Sequence, residues 1–75
     1  MPVLKLCCEV AGRVVRIEAP PGSAVQAEDA ILIVESMKME IPLFAPAAGM
    51  VQSILVAEGD EVSEYQEAVL LEIAP

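Results

Sequence analysis

The sequence contains no histidine and no tryptophan, one tyrosine and one phenylalanine, and four basic residues against twelve acidic ones. Each scarcity removes a class of function. Without histidine the chain lacks both the commonest general base at neutral pH and the commonest metal ligand. Ser23, Ser36, Ser53 and Ser63 then have no base to activate them, and no glycine-rich phosphate loop opens a helix, so autonomous catalysis is not expected. A formal charge of -8 repels nucleic acid and anionic membranes alike. The two cysteines are adjacent, Cys7 and Cys8, and Cα atoms about 3.8 Å apart lie too close for an ordinary disulfide. Free thiols suit a reducing compartment, and no charged segment followed by an apolar one opens the chain, so the cytoplasm is the expected location. Long apolar runs are missing too: Ile41 to Ala57 carries no charge, but Pro42, Pro46, Gly49, Gln52 and Ser53 cut it into pieces too short to span a bilayer.

What remains is 75 residues, 56% of them apolar, enough for one domain over 1–75 with one small core. Domains of this size bury only roughly 60% of their unfolded surface, so a well-closed architecture is required. The chain also repeats. Laid on itself at the spacing of Gly12 and Gly49, Leu6 falls on Leu43, Ala11 on Ala48, Val14 on Val51, Ile17 on Ile54, Gly22 on Gly59, Val25 on Val62 and Glu35 on Glu72. Two halves, about 2–38 and 39–75, are therefore expected to be one supersecondary unit used twice.

Each half reads as β structure. Short apolar runs (Val3 to Cys8 and Ile41 to Ala45), β-branched runs (Arg13 to Glu18 and Met50 to Val56) and final runs (Ala30 to Glu35 and Ala68 to Ile73) are separated by turns at Gly22 and Gly59. Short pieces near Val25 and Val62 bring the number to about eight strands. No segment holds a helical period, and the prolines fall where edges and turns tolerate them. An all-β barrel or sandwich with a pseudo-twofold axis follows.

The most unusual stretch is Glu35-Ser36-Met37-Lys38-Met39-Glu40, between two strand-like runs, Ala30 to Glu35 and Met39 to Ala45. The simplest connection is a hairpin with Met37 and Lys38 at its tip, Ser36 opposite Met39 and Glu35 opposite Glu40. Two local rules are broken there. Tight hairpins favour Asn, Asp or Gly at positions of positive φ, and like charges directly opposite are unfavourable by up to about 1 kcal/mol. Such violations concentrate at functional sites. A hairpin tip also leaves little core for Met37 and Met39 to fill. An enzyme acting on the lysine amine has to supply the deprotonation. By the repeat, Lys38 matches Pro75 and should lie at the end of the molecule away from the termini. An exposed lysine on a rigid scaffold without catalytic groups describes a protein that is acted upon.

The segment Glu35-Ser36-Met37-Lys38-Met39 resembles the attachment signature of biotinyl domains and biotin carboxyl carrier proteins. Ala45-Pro46-Ala47-Ala48-Gly49-Met50-Val51 and Glu58-Gly59-Asp60-Glu61-Val62 resemble the family's downstream segments, so the resemblance covers essentially the whole chain. It implies a flattened barrel of two four-stranded antiparallel sheets, the barrel-sandwich hybrid. It also implies biotin joined by an amide to Lys38 by a biotin protein ligase, with Met37 and Met39 as flanking recognition residues and Glu35, Ser36 and Glu40 as hairpin context. The implied partners are a biotin carboxylase and a carboxyltransferase in a carboxylase such as acyl-CoA carboxylase, with this chain a non-catalytic carrier. The family's usual Gly-Asp or Gly-Gln pairs before the last strand of each half stand here as Glu28-Asp29 and Tyr65-Gln66. A lipoyl carrier resembles the same fold, but its lysine usually follows aspartate and lacks flanking methionines. An unmodified adaptor barrel is the third alternative.

Overall fold

The computed structural model describes residues 2–75. Eight strands form in order: β1 (Val3–Cys7), β2 (Gly12–Ile17), β3 (Ala24–Val25), β4 (Ala30–Ser36), β5 (Met39–Phe44), β6 (Gly49–Ile54), β7 (Glu61–Val62) and β8 (Glu67–Ile73). They make two antiparallel four-stranded sheets, β1-β8-β6-β3 and β5-β4-β2-β7. Adding four to each strand number converts one order into the other, so the topology carries the twofold that the repeat predicts. The sheets close face to face into a flattened barrel 37 by 17 by 16 Å across its principal axes.

The symmetry extends to single hydrogen bonds. Cys8 N–H donates to Gln66 O at 2.8 Å, and 37 positions on, Ala45 N–H donates to Asp29 O at 2.8 Å. Gly22 N–H donates to Val51 O at 2.8 Å and Gly59 N–H to Val14 O at 2.7 Å. Even the β-bulges are paired: register shifts between Val14 and Arg16 in β2 and between Val51 and Ser53 in β6. A bulge lets a strand coil more tightly, which is how so small a barrel closes.

Between the sheets, Val14, Ile31, Leu32, Val51, Val69 and Leu71 are wholly enclosed. Cys8 joins them, and burial, with the Cys7 thiol second, holds its pKa above the ordinary thiol value. It packs as a small apolar group. Ile33 is buried outside this cluster because its register partners, Arg16 on β2 and Pro42 on β5, flank it on the outer face.

Glu28 and Tyr65, the residues that replace glycine before the last strand of each half, hold φ of 75° and 68°. The turn demands left-handed backbone twice, at twofold-related positions, whatever residue stands there. An L residue pays roughly 1–2 kcal/mol for this conformation, and glycine returns part of that gain as unfolded-chain entropy. Glu28→Gly is therefore expected to stabilise by about 0.5 to 1 kcal/mol, raising Tm by about 2–8 °C in thermal unfolding.

Candidate functional site

β4 and β5 are joined by the shortest possible hairpin. Ser36 pairs with Met39 and Glu35 with Glu40, leaving Met37 and Lys38 as the two loop residues. Their φ angles, 52° and 66°, are both positive, the backbone of a tight turn whose twist matches the strands it joins. Neither residue has the glycine or asparagine chemistry that makes this conformation cheap, so the strain read in the sequence is present in the backbone.

The turn lifts its side chains off the barrel. Met37 is 92% exposed and Met39 64% exposed. Thioethers normally fill core gaps, and two of them in water beside one lysine do nothing for the packing of this domain. Lys38 is exposed, and no carboxylate lies within 4.0 Å of its amine among the described residues. The only other lysine, Lys5, sits in the middle of β1 and faces Glu67 at 4.0 Å. Only Lys38 stands at a tip where a second protein can surround its amine.

Glu35 and Glu40 do face each other across the ladder. Sequence reasoning missed what offsets them. Arg16 reaches across β4 from β2, its Nη2 donating to Glu40 Oε1 at 2.9 Å while its Nε lies 3.4 Å from Glu18 Oε1. The Glu40 bond chiefly, with the Glu40 and Glu18 charges, holds the guanidinium pKa above its ordinary value. All three groups are about half exposed, so solvent screens the pair and it adds little to stability. Its effect is geometric, tying the outer hairpin strand to β2. The bulge in β2 hides this contact from period-two counting. A second tie also escapes the sequence: Glu58 Oε2 accepts the Ile17 N–H at 2.9 Å.

The twofold fixes the place of the tip. Lys38 ends the first half as Pro75 ends the second, and β4 occupies in its sheet the place of β8 in the other. The described residues contain no helix long and apolar enough to cross a membrane.

A family model described as a biotin-requiring enzyme domain, Biotin_lipoyl, matches residues 6–73. Among curated proteins, a biotin/lipoyl attachment protein of Bacillus subtilis is 36% identical over 66 residues, 88% of each chain. A dihydrolipoyllysine-residue acetyltransferase component of the pyruvate dehydrogenase complex of Pseudomonas aeruginosa is 36% identical over 62 residues, 83% of this chain and 11% of that protein. Among solved structures, a single-chain, multi-domain long-chain acyl-CoA carboxylase superposes with TM-score 0.90 at 29% identity, over 96% of this chain and 7% of that one. The urea carboxylase of Kluyveromyces lactis gives 0.89 at 31% identity, over 95% and 6%. The match runs nearly the length of this chain while spanning 11% or less of these three large proteins. The chain belongs to the biotin/lipoyl attachment family, as a carrier domain of that type.

Proposed function

We propose that residues 1–75 form a single biotinyl domain, that Lys38 is its attachment point, and that the chain serves as the carboxyl carrier of a biotin-dependent carboxylase. One observation carries this reading: a lysine flanked by two exposed methionines at the tip of a strained two-residue hairpin. A lipoyl carrier needs the tip but not the methionines, and structural likeness to two carboxylases supports biotin. The geometry suits a covalent group. Lys38 offers a primary amine clear of its own barrel, able to form an amide with the biotin carboxylate when a biotin protein ligase activates that carboxylate with ATP.

Bound there, biotin supplies a ring nitrogen that accepts a carboxyl group at a biotin carboxylase and yields it at a carboxyltransferase. What the chain contributes is position. The rigid barrel and the Arg16–Glu40 tie fix the root of the arm, while the four methylenes of Lys38 let its end move. Tethering holds the cofactor at a high effective concentration near both partner sites. Met37 and Met39 offer adaptable apolar contacts to whichever enzyme receives the tip. Likeness to the Pseudomonas aeruginosa acetyltransferase component favours lipoate as the second reading.

Intact mass spectrometry separates these. After incubation with biotin, ATP and a biotin protein ligase, the parent is expected to gain one biotinyl increment and Lys38→Arg none. A lipoyl increment with lipoate ligase and no biotinyl one would transfer the assignment to lipoate. Silence from both ligases on folded protein would leave the adaptor barrel.

A further inference from the structure

The barrel has two ends related by its twofold, and they are not chemically alike. β2 runs antiparallel to β4 with Arg13 opposite Glu35, and antiparallel to β7 with Arg13 opposite Glu61. β4 and β7 therefore run parallel and finish at the same end of their sheet, two strand spacings or roughly 10 Å apart. Beyond β4 comes Met37-Lys38, and beyond β7 comes the turn Ser63–Gln66, with Tyr65 in its left-handed position. At the opposite end, the twofold-related turn carries Glu28 beside the close of β8.

Backbone strain does not single out Tyr65, because Glu28 repeats it. The side chain is what differs. Tyr65 is the only tyrosine of the chain, is 76% exposed, and contributes nothing to the core. Its turn is nonetheless held firmly: Tyr65 N–H donates to Cys8 O at 2.7 Å, and a Gln66 Oε1 accepts the Ser63 N–H at 2.9 Å. A rigid aromatic displayed on an anchored turn is the chemistry of a binding anchor, since few torsions are lost when it is covered. Around it and the two methionines stand exposed Glu9, Glu35, Glu61 and Glu64, with one exposed cation, Arg13, between Glu35 and Glu61, so the rim carries an excess of negative charge.

We propose that Tyr65 is a second recognition element, and that with Met37 and Met39 it forms one apolar docking face for the biotin protein ligase. The ligase surface it fits is an apolar depression rimmed by Arg and Lys, the complement of an acidic chain of charge -8. Lys38 enters the ligase site while Tyr65 sets the angle of approach from two strands away. This rests on the reading of Lys38 as a biotinylation site.

The twofold provides the control. Initial rates of biotin incorporation, followed by intact mass against carrier concentration, are measured for the parent, Tyr65→Gly, Tyr65→Asn, Tyr65→Phe and Glu28→Gly. Tyr65→Gly and Tyr65→Asn should lower kcat/KM about tenfold, mainly through KM. Tyr65→Phe should keep the parental rate, because the ring is retained. Glu28→Gly relieves the same backbone strain at the far end and should leave the rate unchanged, which separates docking from stability; thermal unfolding of each variant confirms folding. Raising the ionic strength should raise the parental KM. Parental kcat/KM in both Tyr65→Gly and Tyr65→Asn overturns the proposal, as does an equal loss in Glu28→Gly. A parent that accepts no biotin overturns instead the reading of Lys38 on which it rests.

Discussion

Gly12→Ala is expected to destabilise the domain by about 3 kcal/mol or more, and Gly49→Ala to do the same. A Cβ built on Gly12 falls 2.2 Å from Glu35 O, and one on Gly49 falls 2.2 Å from Glu72 O. Both obstacles are backbone of the neighbouring strand, so no rotamer change relieves them. The strands must move apart, breaking ladder bonds between β2 and β4 or between β6 and β8. Overpacking a well-filled core costs about 1–3 kcal/mol when side chains can yield, and forced backbone separation exceeds that. A domain of this length is stable by roughly 4–11 kcal/mol in all, so a loss of about 3 kcal/mol or more removes much of it. Gly22→Ala is the contrast: nothing lies within 4 Å of its Cβ, and only its φ of 92° opposes the substitution. Urea unfolding midpoints should fall far for residues 12 and 49 and modestly for residue 22. A midpoint for Gly12→Ala within that of Gly22→Ala would show that the strands separate freely.

The second large effect concerns position at the hairpin. Exchanging its two loop residues, by Met37→Lys with Lys38→Met, keeps composition, charge and the pair of positive φ angles. Exposed substitutions of this kind change stability within about 0.5 kcal/mol, so the melting curve should be nearly unmoved. The amine, however, now leaves the turn from the other loop position, in a different direction. Misplacement of a reacting atom by about 1 Å can cost a hundredfold in rate, and the exchanged variant is expected to accept biotin about 100-fold more slowly than the parent under the same ligase. Biotinylation at the parental rate would mean that the ligase requires an exposed amine and not this geometry.

Much of this architecture was legible in the chain because the halves repeat. A strand read in one half, such as Ala30 to Glu35, supports its counterpart, and the observed bounds differ from the reading by a residue or two at each end. The hairpin register could be counted outward from the two loop residues, since period-two pairing leaves one solution. Other features depend on relations that spacing does not encode. Gly12 and Gly49 mark the repeat in sequence, yet the carbonyls that exclude a side chain there belong to residues 35 and 72. Glu28 and Tyr65 conceal left-handed turns because neither is a residue that signals one. Arg16 meets Glu40 only because a bulge reorients β2 and β4 separates the two by one strand.

Both sheets also end in an open strand, β1 in one and β5 in the other, and their midpoints are twofold-related residues, Lys5 and Pro42. Pro42 lies three pairs from the Ser36–Met39 closure, where the nitrogen points away from β4, so the donor it lacks is one that a foreign strand would need. Lys5 guards its edge by a charged side chain, its amine 4.0 Å from Glu67. Ionic strength treats these two barriers differently, because an ammonium is screened beyond about 10 Å at 0.1 M salt, while a missing N–H is indifferent to it. The rim at β1 is therefore the salt-sensitive edge of the two, and the rim at β5 the salt-indifferent one.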